Sequence, residues 1–309
     1  MSTSRADING AAFSLRLPQS GTDTATVCEL LAAASGLSKS RVKEAMGKGA
    51  VWLTSPGKGR RRLRRATFIS RRGELVELFY DPVLLALDPP PAHCIYDAGS
   101  YSVWFKPAGL LAQGTDYGDH CSLVRQAEVY FSGKRQVATE RGEGRKTGRT
   151  NEQAATGRQV LLVHRLDREA AGLMLVAHSR AAAGALSKML QARAIAKSYR
   201  VKVKGCLAPE EGLIELPLDG KPATTRYLRT GYDQASDTST AEVNIVTGRL
   251  HQIRRHFAMS GHPLIGDPRY GWGNKNRSGL ELVAHRLCFC CPFTGKEVLV
   301  SLDEPLGEP

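Results

Sequence analysis

The sequence predicts an α+β protein built from two parts, a small basic module followed by a larger strand-rich domain. Three observations carry that expectation. Apolar residues at helical spacing in 26–47 give way to short strand-like runs, Val51-Trp52-Leu53 and Leu75-Val76-Glu77-Leu78. Pro89, Pro90 and Pro91 stand in a row and resist both helix and central strand, so 82–94 reads as a stiff linker. Beyond them the chain turns to strand-like segments within 95–105, 173–176 and 197–205. A chain of 309 residues with 42% hydrophobic content has room for one large core and a smaller one.

Residues 1–24 are polar and mixed, and read as a flexible start. They lack the apolar core of a signal peptide, and no stretch approaches the roughly eighteen apolar residues of a membrane span. Seven cysteines, an odd number without regular spacing, agree with reduced thiols. A cytoplasmic protein with no membrane partner is the resulting expectation. Within 25–81, the first helix carries Val27, Leu30 and Leu31, and the second follows Ser38 as N-cap with Val42, Ala45 and Met46 inward. The Gly- and Arg-rich stretch 56–65 reads as a loop. In 95–309, Ile95-Tyr96 and Tyr101-Ser102-Val103-Trp104-Phe105 read as strands, and Lys106-Pro107-Ala108-Gly109 ends the second. Residues 132–158 hold almost no large apolar side chain and read as a mobile basic insertion. The Ala-rich stretch 181–196, with Leu186, Met189 and Leu190, reads as a packing helix.

The net charge of +13 is concentrated. Residues 39–72 hold twelve Lys or Arg against one acid, and 132–158 hold seven against three, so the remainder is close to neutral. Clustered positive charge gains counterion-release free energy on a phosphate backbone, which makes nucleic acid the first partner to consider. A solvated basic surface is the bland alternative.

The run LLAAASGLSKSRVKEAMGKGAVWL, followed by RLRRATFISRRGELVEL, resembles the S4 RNA-binding module over 25–81, with Gly73-Glu74 where that module usually has Gly-Asp. The resemblance implies RNA contacts from Lys39, Arg41 and Lys43 on the second helix, and from Arg60, Arg61, Arg62, Arg64 and Arg65 on the loop. A basic helix beside a basic loop can grip a bent RNA backbone by shape and phosphate contact.

The most informative segment is Val163-His164-Arg165-Leu166-Asp167-Arg168-Glu169-Ala170-Ala171-Gly172, which leads into an apolar strand, Leu173-Met174-Leu175-Val176. An Asp just before a core strand is held on a rigid element at a possible cleft edge, although a loop Asp often serves only its own backbone. HRLDREAAGLMLVA closely resembles the signature H-R-L-D-x-x-T-S-G-L-L-L-x-A of the RluA-type pseudouridine synthases. His164 favours this branch over the RsuA branch, which has Gly there; Ala170 and Ala171 replace the usual Thr-Ser. Lys197-Ser198-Tyr199-Arg200-Val201-Lys202-Val203-Lys204-Gly205 is similar to the family's K-x-Y-x-x-x-V-x-G strand. Thr247-Gly248-Arg249-Leu250-His251-Gln252-Ile253-Arg254-Arg255-His256 is similar to T-G-R-x-H-Q-I-R-x-H, and the stretch to Asp267 and Tyr270-Gly271 follows. Near the end, Leu282-Val283-Ala284, Leu287, Phe289 and Pro292-Phe293-Thr294-Gly295 resemble the closing motif, with Val283 and Cys291 where the family usually has His.

This resemblance covers 95–302 outside the insertion. It implies a mixed, largely antiparallel catalytic sheet flanked by helices, the pseudouridine synthase fold. Asp167 would be the essential carboxylate, Tyr199 would pack on the target uracil or act as general base, and Arg254 would pair with Asp167. His164 and Arg165 would contact RNA or fill the space of the extruded base; simple loop packing is the alternative. Isomerisation cleaves the bond from C1′ to N1, turns the base and joins C1′ to C5, with no redox change or group donor, so no cofactor is expected. A carboxylate can stabilise or trap the electron-poor sugar carbon. Sugar attack, addition to C6 and elimination all remain open from the residues alone.

His251, His256 and His262 fit no common ligand spacing, so no metal is expected. Cys288, Cys290 and Cys291 read as small core residues of an apolar strand. The family implies ribosomal or transfer RNA as partner, and the S4-like module favours 23S ribosomal RNA acted on by a monomer. A non-catalytic RNA-binding or assembly factor retaining the fold is the rival from another class. A nucleoside glycosidase is a third reading, and lacks an acid partner.

Overall fold

The computed structural model describes residues 12–18, 24–140, 158–271 and 279–302, with side chains excepted in 134–140. The chain divides into two compact units, 1–89 with 113–125, and 90–112 with 126–309.

The first unit contains β1 (Phe13–Pro18), α1 (Val27–Ser35), α2 (Lys39–Gly47), β2 (Val51–Thr54), β3 (Arg60–Arg62), β4 (Leu75–Tyr80) and α3 (Pro82–Leu85). Its sheet runs β1-β4-β2-β3, antiparallel throughout. Thr26 and Glu29 form a capping box at the start of α1, and Gly36 closes that helix in the left-handed conformation. Ser38 caps α2 by accepting the Arg41 amide. Val27, Leu31, Val42, Met46, Leu53 and Leu78 are fully buried in one core. Burial of each such side chain contributes about 1.5–3 kcal/mol.

Three expectations change here. The start read as flexible contains β1, because Phe13, Leu15 and Leu17 alternate and pack on the core while the strand pairs with β4. The loop 56–65 contains β3, which pairs with β2 and lays Arg60 and Arg62 over Trp52. The linker 82–94 opens with a helical turn, since the Asp81 carboxylate caps the Val83 and Leu84 amides and Pro82 suits a first helical position. The rest of residues 1–24, and most of the insertion, lie outside the described residues.

The second unit holds β5 (His93–Asp97), β6 (Tyr101–Lys106), β7 (Leu161–Leu162), β8 (Ala171–Ala177), α5 (Arg180–Gln191), β9 (Ile195–Lys204), β10 (Glu211–Ile214), β11 (Thr225–Asp233), β12 (Thr238–Ile245), α6 (Gln252–Met259), β13 (Leu282–Cys290) and β14 (Glu297–Ser301). Between β6 and β7 runs α4 (Leu123–Glu140), which carries helix into the stretch read as a mobile insertion. The sheet order is β10-β11-β12-β9-β13-β8-β6-β5, with β14 beside β13 and β7 beside β8. Only β13 and β8 pair in parallel; the other described pairings are antiparallel. The mixed, largely antiparallel sheet of an α+β fold is therefore what the structure contains.

Strand β8 is apolar on both faces and Leu173, Met174, Leu175 and Val176 are fully buried, as befits a central strand. At its start Gly172 (φ +127°) pairs with Ala284, and an added Cβ would lie 2.3 Å from the Ala284 carbonyl oxygen. Helix α5 packs Ala182 and Leu186 against Leu173, Leu175, Ile195 and Phe289. The cysteine expectation is corrected in part. Cys291 is buried, but Cys290 is exposed and Cys288 half-buried, because they alternate with the buried Leu287 and Phe289 on β13. No helix among the described residues is long and apolar enough to cross a membrane.

Candidate active site

Three segments of the second unit line one cavity, the 163–170 loop before β8, the face of β9 and the start of α6, and the turn at 264–270 holds Arg254 through Asp267. The loop is built rigid. Lys106, fully buried at the end of β6, donates to the carbonyls of Leu110 (2.8 Å), Pro107 (3.0 Å) and Ala170 (2.6 Å). The Gly109 amide donates to the Arg168 carbonyl at 2.7 Å. Burial pushes the Lys106 ammonium down to about 8, against the pull of Asp167 and Glu169. Ala170 thus has its carbonyl anchored although the usual Thr-Ser hydroxyls are missing. His164 accepts the Leu175 amide on Nε2 at 2.9 Å, pinning the loop to β8. Burial, with Lys197 nearby, drives its pKa down to about 3, so the ring is neutral and suited to accept.

Asp167 is oriented from across the site. Arg254, on the buried face of α6 with Ile253 and Phe257, donates from Nη1 to Asp167 Oδ2 at 3.0 Å and to Glu169 Oε2 at 3.2 Å. Its Nε and Nη2 make a bidentate pair with Asp267, both at 2.8 Å. Asp267 is fully buried and also accepts the amides of Arg269 and Tyr270. Burial acts to raise its carboxyl, but Arg254 and the two amides outweigh that and hold it below the usual range. Arg254 is desolvated too, yet Asp267 and Asp167 raise it, so the guanidinium stays charged. The result is a fixed cation aimed at one oxygen of Asp167.

Tyr199 lies on the buried face of β9, where Val201 and Val203 alternate with exposed Arg200 and Lys204. Burial and the Asp167 charge push its phenol up, which keeps it protonated at neutral pH. Gln252 fixes the loop before α6: its Oε1 accepts the Thr247 hydroxyl (2.6 Å) and Arg249 amide (3.0 Å), and its Nε2 donates to Thr224 and Thr225. His251 lies 3.7 Å from Asp167 Oδ1. Asp167, Tyr199, His251, Gln252 and Arg254 line a cavity of about 450 Å³.

Asp167, Tyr199 and Arg254 line this one cavity, and Arg254 pairs with Asp167. Arg165 is exposed at the cavity rim, whereas the Nε2 of His164 is committed to the strand. In the first unit Lys39, Arg41, Lys43, Arg61 and Arg65 are exposed. Arg60, Arg62 and Arg64 serve inside that unit: Arg60 pairs with Glu77 (2.9 Å) and Asp116 (2.8 Å), Arg62 with Asp119 (3.1 Å), and Arg64 with Asp119. Sequence reasoning missed Lys106, Glu169, His251 and Asp267 as parts of the site. A lysine closing an apolar strand was the available signal for the first, since buried Lys demands partners. His256 and His262 go elsewhere, to Thr225 and Leu216, and to the Lys204 carbonyl. Among the described residues no group of three His, Cys, Asp or Glu is placed to hold a metal.

The model for RNA pseudouridylate synthase matches residues 100–259, more than half of the chain. An uncharacterized RNA pseudouridine synthase of Aquifex aeolicus is 28% identical over 294 residues, 87% of this chain and 86% of that protein. The dual-specificity RNA pseudouridine synthase RluA of Vibrio parahaemolyticus is 36% identical over 153 residues, 43% of this chain and 61% of that protein. Human RNA pseudouridylate synthase domain containing 1 shares the fold, at a TM-score of 0.53 and 21% identity, over 71% of this chain and 87% of that one. The chain belongs to the RNA pseudouridylate synthase family, in its RluA-type branch, and is an isomerase acting on RNA.

Proposed function

We propose that this isomerase modifies uridines in 23S ribosomal RNA, with Asp167 as the reacting carboxylate and the first unit as an S4-like RNA grip. The observation that carries the site assignment is the Arg254 guanidinium, held by Asp267 and directed at Asp167. A carboxylate oriented in this way at the cavity can stabilise or trap the electron-poor C1′ when the bond to N1 breaks. Uracil leaves as a fairly stable anion, so a second acid is not required. Tyr199 offers a ring on which the freed uracil can stack while it turns. Extruding the base costs a few kcal/mol, offset by stacking and by phosphate contacts. The exposure of Arg165 at the rim supports a role for it in filling the vacated position.

The exposed Lys39, Arg41 and Lys43 support phosphate contact by the first unit, and structured ribosomal RNA offers the bent backbone that such a face fits. The family's other substrate class, transfer RNA, is a second reading, and the dual specificity of the RluA relatives favours more than one target. Mapping pseudouridines in total RNA with and without this gene tests both. Loss of a 23S site supports the first reading and loss of a transfer RNA site the second; loss of none contradicts both.

A further inference from the structure

Isomerisation at Asp167 leaves His251 without a task. It is one of four described non-glycine residues with positive φ (φ 51°, ψ 32°), at the start of α6. Such backbone persists where the surroundings impose it, often at functional positions. Its Nε2 faces Asp167 Oδ1 at 3.7 Å, on the side of the carboxylate that Arg254 does not hold. Its Nδ1 is 3.0 Å from the Tyr270 hydroxyl. Tyr270 in turn lines a second cavity, of about 670 Å³, together with Lys204, Arg255, His262 and Arg269. Asp167, His251 and Tyr270 thus form a polar path from the reacting cavity to a separate opening.

The reaction needs an exit for one proton. Once C1′ has joined C5, that carbon carries both the sugar and its original hydrogen. The C5–H bond must then break: its electron pair forms the C5–C6 double bond, the pair of the N1–C6 double bond returns to N1, and N1 takes a proton from water. One proton leaves and one is taken up, so no oxidant or co-reactant enters.

Asp167 has Oδ2 engaged by Arg254 and is the group assigned to the sugar carbon. Tyr199 is a phenol pushed up by burial and by Asp167, and accepts a proton poorly. His251 is pushed down by burial; Arg254 and Arg269 act in the same direction, while Asp167 and Glu169 oppose them. It therefore offers a neutral imidazole with a lone pair at neutral pH.

We propose that His251 is the base that removes the C5 proton, and that Tyr270, as a positioning residue, accepts Nδ1–H and so keeps the Nε2 lone pair toward the cavity. The imidazolium formed is stabilised by Asp167 and returns its proton to solvent along the Tyr270 side. The proposal rests on the reading that this cavity isomerises uridine at Asp167.

The test uses the full chain in single-turnover reactions on 23S and transfer RNA transcripts made with either UTP or 5-deutero-UTP. His251→Asn keeps a side chain that tolerates left-handed backbone. Its rate should fall ~100-fold or more, with a primary isotope effect at C5 larger than wild type, unchanged RNA affinity and partial rescue by added imidazole. Tyr270→Phe should show a smaller fall and the same isotopic signature. His251→Asn at wild-type rate, or slowed equally on protio and 5-deutero RNA without imidazole rescue, overturns the proposal. If circular dichroism shows that variant unfolded, Tyr270→Phe decides: an enlarged isotope effect supports the relay, and an unchanged one overturns it. A wild-type protein that forms no pseudouridine on either transcript sinks the synthase reading itself, before any variant is compared.

Discussion

Arg254 is desolvated on every side yet charged, and Asp267 makes that tolerable. Breaking a buried pair leaves an uncompensated charge, at about 3–5 kcal/mol. Asp267→Asn should therefore lower Tm, and should also lower kcat, because the guanidinium no longer fixes Asp167. The pH dependence has a definite sign. The Asp267 carboxyl sits below its ordinary value of 3.8 in the folded chain, so its stabilisation is present above that pH and is lost as pH falls through the lower folded value. Thermal melts below about pH 4 should show the wild type losing an advantage over Asp267→Asn that is constant at neutral pH; parallel curves throughout would contradict this. Asp167 and Tyr199 could be picked from motif order in the sequence. Asp267 and Glu169 could not be assigned, because which acid meets Arg254 depends on how α6 and two distant loops converge.

Two elements set the precision of the reacting loop. Gly172 lets β8 and β13 approach in parallel register, and Gly172→Ala would place a methyl 2.3 Å from the Ala284 carbonyl at a φ that L residues rarely adopt. A loss of about 3 kcal/mol or more is expected in denaturant unfolding; a loss below ~1 kcal/mol would mean that the strand pairing yields easily. Lys106→Met would strand carbonyls now satisfied by the ammonium, each at about 1–3 kcal/mol. Hydrogen exchange in 164–170 should speed up and kcat should fall, and unchanged exchange would show that the loop holds itself. The helices α1 and α2 and the strand β9 were legible because their apolar residues keep a clean helical or alternating period, and β8 because it is one continuous apolar run. The β10-β11-β12 meander was not read. Leu213 and Leu228 are about half exposed there, and apolar residues on the solvent face blur the alternation. The continuation of α4 to Glu140 was hidden by Gly, Ser and Lys in its later turns.

At the scale of the molecule, positive charge falls in two different settings, exposed on α2 or paired with acids inside the first unit. Lys39, Arg41 and Lys43 are exposed, and replacing all three with Gln should weaken RNA binding and reduce the slope of log K against log salt by roughly 0.9 for each phosphate no longer neutralised. Thermal stability should change little. Arg62→Gln should behave in the opposite way, lowering Tm because it removes the bonds to Asp119 and the Gly49 carbonyl. Equal effects of the two changes on salt dependence would contradict this division. Charge clustering was visible in the sequence, but the distinction between an exposed arginine and one that holds Asp119 was not.

The central claim is that Asp167 does the chemistry and the remaining groups hold it. Its most direct test compares wild type and Asp167→Asn on the RNA whose modification disappears when the gene is removed, measuring both Kd and pseudouridine formed. The substitution keeps shape and removes the charge. Unchanged RNA affinity with pseudouridine formation reduced by at least ~10⁴-fold is the predicted result. Pseudouridine formed by Asp167→Asn at a rate near that of wild type would contradict it.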